Sequence, residues 1–167
     1  MELLAGEILA SWDRQTQILM NLAGRIDDDN KSAKPSADGW SIAGHLAHIH
    51  NCRSEWLSHI SKPLADSLGE VYQKVDGRWE PISNLEEIRR QLDLSAAAVR
   101  QAVAEGFEGG VSRVGPYTHP IMFLQHMLWH EGYHFGLIVL ALRINGQEPP
   151  EEWEELNVWG IWRDPEI

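Results

Sequence analysis

The stretch FLQHMLWHEGYHFGLIVLALRING (Phe123–Gly146) decides the fold, because it is long, apolar on nearly every helical face, and interrupted by three histidines four residues apart. Thr118 or His119 before Pro120 marks its start, since proline is favoured in the first turn of a helix. Asn145-Gly146 marks its end. A helix that is apolar nearly all round is typical of the centre of a domain, where several partners contact it. We therefore predict a central helix here.

Three segments upstream have one apolar face each and predict three further helices. Ser41 is a good N-cap for the second helix, and Ser83 or Asn84 for the third. Between them, Leu64–Ser83 gives a mixed signal with room for a short extended piece. The sequence predicts an all-α four-helix bundle, a single domain over residues 1–167, with a long crossover between helices 2 and 3. The tail EEWEELNVWGIWRDPEI (Glu151–Ile167) is predicted to lie across the bundle as a flap.

The composition limits the classes of partner. A formal net charge of −11 argues against proteins that bind nucleic-acid backbones or anionic membrane surfaces. Cys52 is the only cysteine, which excludes an intrachain disulfide and favours a reducing, cytoplasmic compartment. The N-terminal segment has no basic region before an apolar run, so we expect no signal peptide. Because helical bundles with an exposed apolar stripe often associate, we predict a homodimer.

The histidine spacing predicts a metal site. Residues four apart on a helix differ by about 6 Å in height. His126 and His134 are therefore too far apart to share an ion with bonds of about 2.0–2.1 Å, and the ligand pair is either His126/His130 or His130/His134. A third ligand would come from helix 2, which offers His45, His48, His50 and His59. Three imidazoles with one open position suit zinc, nickel, iron or copper. The alternative is a set of core histidines bonded to carbonyl groups or water.

The motif WSIAGHLAHIH (Trp40–His50), combined with HMLWHEGYHFGLIVLALRINGQEPP (His126–Pro150), resembles the DinB-like family. The likeness consists of the Trp-Ser pair before helix 2, a histidine seven residues after that serine, and a late H-x-x-x-H. It implies a four-helix bundle that holds a divalent metal ion, zinc or nickel, on His48, His130 and His134. Many relatives continue from the last ligand as His-Arg-Gly-Gln, whereas this chain reads HFGL. Groups that orient ligands or bind substrate therefore differ here.

A metal ion on three neutral histidines acidifies a bound water or thiol. The resemblance thus implies a metal-dependent enzyme with a small-molecule substrate, either an S-transferase using a low-molecular-weight thiol such as bacillithiol or mycothiol, or a hydrolase. Glu131 is the candidate catalytic residue, as a general base or as a partner to a ligand. The alternative is a non-enzymatic stress protein that binds a metal or another ligand.

The string HEGYH (His130–His134) also fits the H-E-x-x-H motif of zinc peptidases. A peptidase would need a downstream third ligand, for which the tail offers only glutamates: Glu151, Glu152, Glu154 and Glu155. Cys52 shares the helical face of His48 and is interpreted either as a thiol near the metal or as apolar core filler. Arg53 and Arg143 are expected in solvent-facing ion pairs, with binding of a substrate carboxylate as the alternative.

Overall fold

The computed structural model describes residues 2–163, and these are mostly helical, which confirms the all-α class. The long helices are α1 (Glu2–Gly24), α2 (Ile42–Ser58), α4 (Leu85–Glu108) and α5 (Pro120–Ile144), with a short α3 (Lys62–Asp66) and α6 (Glu151–Glu154). One antiparallel hairpin, β1 (Tyr72–Val75) and β2 (Arg78–Pro81), is the only sheet in the described chain. Helix α2 packs on α4 and α5, and α1 packs on the same two helices.

The helices begin and end where side chains satisfy free backbone groups. The Ser41 hydroxyl accepts the amide proton three residues later, at 3.1 Å, and the Asn84 side chain does the same for α4 at 3.2 Å. His119 Nδ1 accepts the amide proton two residues later and opens α5 ahead of Pro120. Helix α5 ends before Gly146, whose φ of +71° suits glycine. Of the alternative start signals, Asn84 and His119 are the ones used.

The connection from α2 to α4 contains α3 and the β1–β2 hairpin. The hairpin turns at Asp76-Gly77, where both residues have positive φ. Most of its side chains are exposed, so it lies outside the helical core. The short extended piece expected between Leu64 and Ser83 is therefore present.

The late apolar helix contacts the other three long helices, as expected of a central helix, but it is not fully enclosed by them. Nine of the 25 residues of α5 are buried, against 11 of the 17 residues of α2, so α2 is the more enclosed helix. One side of α5 leaves large apolar side chains in solvent: Met122, Trp129, Tyr133, Leu140 and Ile144. Hydropathy reports how apolar a helix is but not which of its faces a neighbouring element covers. Among the described residues, no element covers the exposed apolar side of α5.

The described part of the tail packs against α1. The Asn21 side chain donates to the carbonyl of Asn157 at 3.0 Å, and the Arg25 guanidinium lies 4.9 Å from the centroid of the Trp153 ring. These contacts agree with a tail that lies across the helices. Residues 164–167 of the predicted flap fall outside the described residues. Within residues 2–163, no helix combines the length and apolar character needed to cross a membrane.

Candidate metal centre

Helices α2 and α5 bring three histidines together at their interface. One ring nitrogen from each of His48, His130 and His134 lies within 4.8 Å of the others. His130 and His134 occupy successive turns of α5, and His48 faces them from α2. The Nε2 atoms of His48 and His130 are 3.2 Å apart. Among residues 2–163, these three histidines form the group of donor side chains that lie close enough together to hold a metal ion.

The geometry of the cluster fits a divalent transition metal ion. Two nitrogens bound tetrahedrally at 2.0–2.1 Å are roughly 3.3 Å from each other. The separation of 3.2 Å between the His48 and His130 Nε2 atoms matches this value. Imidazole nitrogen suits zinc, nickel, copper and iron. One pair of nitrogens is therefore already at the spacing that a bound ion requires, and the third donor lies within 4.8 Å of both.

The cluster keeps its histidines neutral. Burial, together with repulsion from neighbouring imidazoles, lowers the pKa of His130 to about 4 and that of His134 to about 3. Burial also lowers the pKa of His48. Metal binding needs the lone pair of a neutral ring. At neutral pH these rings are available to an ion without first losing a proton.

Trp40 covers the outer side of the cluster. Its ring lies nearly parallel to that of His134, with centroids 6.2 Å apart, and edge-on to that of His48 at 4.8 Å. The side chain is 52% exposed, so it borders the histidines while remaining accessible to solvent itself. In the sequence, Trp40 stood out only as part of the Trp-Ser motif and was not predicted to belong to the site. Its position directly before the Ser41 N-cap, at the start of the helix that carries His45 and His48, could have indicated that it lies near the site.

The other histidines have different partners. His45 Nδ1 lies 2.9 Å from His134 Nδ1. His50 bonds two backbone carbonyls, and His126 Nδ1 bonds the Tyr117 hydroxyl at 2.8 Å. His59 is exposed at the end of α2. Of the two pairs left open by helical spacing, the structure therefore joins His130/His134, and not His126/His130, to a histidine of α2.

Glu131 lies beside the cluster but its carboxylate belongs to an ion pair. Glu131 Oε1 accepts from Arg53 Nε at 2.7 Å, and both side chains are almost fully buried. Arg53 also donates to the carbonyl of Leu92 and lies over the Trp12 ring. This geometry joins α2 to α5 directly after His130. The role of Glu131 as a general base stays a prediction.

The two arginines singled out in the sequence have different environments. Arg143 forms the expected exposed ion pair, with Glu148. The expectation that Arg53 faces solvent is wrong, because its guanidinium is 1% exposed and paired with Glu131. No local pattern predicts this pair, because its members are 78 residues apart and follow no common spacing.

Cys52 and the tail glutamates do not join the histidine cluster. Cys52 is 7% exposed and packs in a core cluster with Trp12 and Phe123. Burial raises the pKa of its thiol to about 11, which agrees with the core-filler interpretation. Among the described residues, no glutamate of the tail belongs to the metal-binding group. The third donor is His48, which weighs against the peptidase interpretation.

Comparison with known proteins gives one match. The sequence model of the DinB family matches residues 1–161. No curated protein and no solved structure matches the chain.

Proposed function

The chain belongs to the DinB family, and from this membership and the histidine geometry we propose that it is a metal-dependent enzyme. The ion is zinc or nickel, held by His48, His130 and His134. The observation that carries the proposal is the convergence of three neutral imidazoles from two helices within 4.8 Å. Three protein donors leave a coordination position for a further ligand, as catalytic sites do.

The proposed reaction transfers a low-molecular-weight thiol to a small electrophile. When bound, the ion lowers the pKa of a thiol or of water. In the transfer, the sulfur forms a bond to an electrophilic carbon of the acceptor, the bond from that carbon to its leaving group breaks, and the thiol proton passes to solvent. Hydrolysis is the corresponding reaction with water as the nucleophile.

The side chains around the cluster support an apolar acceptor. His48 and His130 are half-buried, so solutes can reach the cluster from one side. Trp40 borders this side, and Tyr133, which is exposed, lies edge-on to His134 with ring centroids 5.2 Å apart. Aromatic faces stack on flat apolar molecules. The chain carries Phe135, Gly136 and Leu137 after the last histidine, so charged groups from this segment do not contribute to binding.

The ion pair supports a positioning role for Glu131. Its Oε1 atom already accepts a short hydrogen bond from the Arg53 guanidinium, and both side chains are buried, so the carboxylate is held away from solvent. Glu131 and Arg53 would then fix the distance between α2 and α5 at the histidines. A catalytic base would instead have to reach substrate or water.

We also propose the overall organisation. The four long helices form a four-helix bundle, in which α3 and the hairpin make up the crossover and the chain forms one domain. The exposed apolar side of α5 supports a homodimer. The net charge of −11 supports small molecules, rather than nucleic acid or a membrane, as partners, and the single cysteine supports a cytoplasmic location.

The first test is elemental analysis of protein purified without a histidine tag. We expect about one zinc or nickel per chain, lost in His48→Ala and His130→Ala and kept in His59→Ala and Glu151→Ala. Equal metal content in the wild type and both cluster variants would contradict the proposed site. Metal loss from Glu151→Ala with retention in His48→Ala would instead favour the peptidase interpretation.

The second test addresses turnover. Metal-loaded protein is incubated with small thiols and a chlorinated aromatic acceptor, and release of chloride is measured. A rate no higher than that of His130→Ala would end the transferase proposal. Metal binding without turnover of a thiol or an ester, together with a large fall in Tm on metal removal, would identify the non-enzymatic alternative.

A further inference from the structure

His45 is a buried histidine outside the group of three donors that contacts one of its members. It lies on α2 one turn before His48 and is 3% exposed. Its Nδ1 atom is 2.9 Å from Nδ1 of His134. Since His45 does not belong to the group of three donors, its contact is with a ligand and not with the ion position.

This contact determines which nitrogen of His134 can bind an ion. Two ring nitrogens at hydrogen-bond distance share one proton, because an N–H group must face a lone pair. Nδ1 of His134 is occupied by His45, so Nε2 is the atom left for a metal. A neutral ring that binds through Nε2 carries its proton on Nδ1. His134 therefore donates, and His45 accepts on Nδ1 and carries its own proton on Nε2.

The second ring nitrogen of His45, Nε2, is evidence that this residue has a role beyond packing. Nε2 of His45 is buried and has no hydrogen-bond partner in the described structure. Folded proteins contain few buried polar atoms without a partner, because leaving one unpaired costs free energy. A phenylalanine would fill the same place without that cost. What phenylalanine cannot do is accept a proton from His134.

Trp40 packs against both members of the pair. Its ring centroid is 5.8 Å from that of His45 and 6.2 Å from that of His134. Packing on this side limits rotation of the two imidazoles. The hydrogen bond then fixes the tautomer of a ring whose plane is already restrained.

His50 provides a contrast on the same helix. It is as buried as His45, but its two nitrogens lie 3.0 and 2.9 Å from the backbone carbonyls of Gln91 and Gly69, either of which can accept the ring N–H. Those contacts tie α2 to α4 and to the crossover and do not involve the cluster. His50 is therefore a structural histidine, and it resembles His45 in being buried and in lying on α2.

We propose that His45 is a positioning residue of the metal centre. Its Nδ1 accepts the Nδ1 proton of His134 and so presents Nε2 of His134 to a divalent cation. The proposal rests on the proposed metal-binding function and deepens it. Partners of this kind orient the ligand and raise its basicity, and their loss typically weakens metal binding about 10–100-fold.

The test compares zinc affinity by competition with a chromophoric chelator. We expect His45→Phe to weaken zinc binding about 10–100-fold. His45→Asn, whose side-chain oxygen lies near the place of Nδ1, recovers much of this loss and also serves if the phenylalanine variant does not fold. The matched control His50→Phe lowers Tm but leaves zinc affinity close to that of the wild type. Equal affinity in the wild type and His45→Phe overturns the proposal.

Two spectroscopic measurements separate positioning from simple packing. Long-range ¹H–¹⁵N spectra of the zinc-loaded protein should show a protonated Nδ1 on His134, with slow proton exchange that becomes fast in His45→Phe. Pulsed EPR of the copper-loaded protein should count three imidazoles, and a fourth would overturn the role by making His45 a ligand. A wild-type protein that binds neither zinc nor nickel contradicts the proposed function as well, whereas zinc binding that does not change in His45→Phe contradicts this inference alone.

Discussion

Arg53 and Glu131 form a buried ion pair that links α2 to α5 beside the histidine cluster, with Nε and Oε1 2.7 Å apart. Arg53 follows His48 on α2 by five residues, and Glu131 directly follows His130 on α5. The pair thus spans the same helix interface as the proposed ligands. Two of its atoms, Nη2 of Arg53 and Oε2 of Glu131, are buried without partners in the described structure, so the pair is not fully satisfied.

Removing one member of this pair should destabilise the protein strongly. Arg53→Met or Glu131→Gln leaves a buried group without its partner, and we expect each to lower the free energy of unfolding by about 3–5 kcal/mol. The double variant Arg53→Met/Glu131→Leu should recover much of the loss, because it removes both polar groups together. Urea denaturation measures all three. The matched control is Arg143→Met, which removes an exposed pair and should change stability little. Single variants as stable as this control would contradict the prediction.

The metal-free protein should lose stability as the pH falls below about 6.5. The folded-state pKa values of His130 and His134, about 4 and 3, lie below the unfolded value of 6.5. The unfolded chain therefore binds more protons in this window, and the free energy of unfolding decreases with falling pH. In His130→Asn/His134→Asn, this slope between pH 6.5 and 4 should flatten by on the order of 1 kcal/mol per pH unit. Denaturation with a chelator present gives both slopes, and parallel curves would be the contrary outcome.

Cys52 should behave as an unreactive core residue. The thiolate is the reactive form, and burial that raises the thiol pKa to about 11 leaves very little of it at neutral pH. We expect reaction with a thiol-specific reagent to be slow in the native protein and fast after denaturation. Cys52→Ala should keep the metal content of the wild type. Rapid native labelling, or metal loss in Cys52→Ala, would instead support a thiol at the metal site.

The exposed side of α5 should form the dimer interface. Trp129 is 73% exposed and its ring stacks on that of Tyr133, within an apolar stripe that follows the helix. Trp129→Glu should convert the dimer to a monomer in sedimentation velocity experiments without lowering helix content. Trp79→Glu is the matched control, because Trp79 is 69% exposed but lies on the hairpin. A monomeric wild type, or equal dissociation in both variants, would refute this interface.

Local signals in the sequence were sufficient to predict the four long helices but not the short α3 and α6. Ser41 as N-cap, Pro120 in a first turn and Gly146 after a helix end act through backbone groups within a few residues, so their effects do not depend on distant parts of the chain. The His130/His134 spacing belongs to the same class, since one helical turn fixes it. The choice of His48 as third member required a family resemblance, because helix 2 offers four histidines and spacing alone does not rank them.

The sequence alone therefore established the four long helices, the histidine spacing on α5 and the match to the DinB family, and the choice of His130/His134 came from that family resemblance. The tertiary structure decided which side chains meet across helix interfaces: His45 on His134, Arg53 on Glu131, and Trp40 over the cluster. It also decided that α2, and not the more apolar α5, is the more enclosed helix. The physical reason is that capping and helical spacing act over a few residues, whereas burial and pairing depend on which surfaces pack together, and in this chain those surfaces are about 80 residues apart.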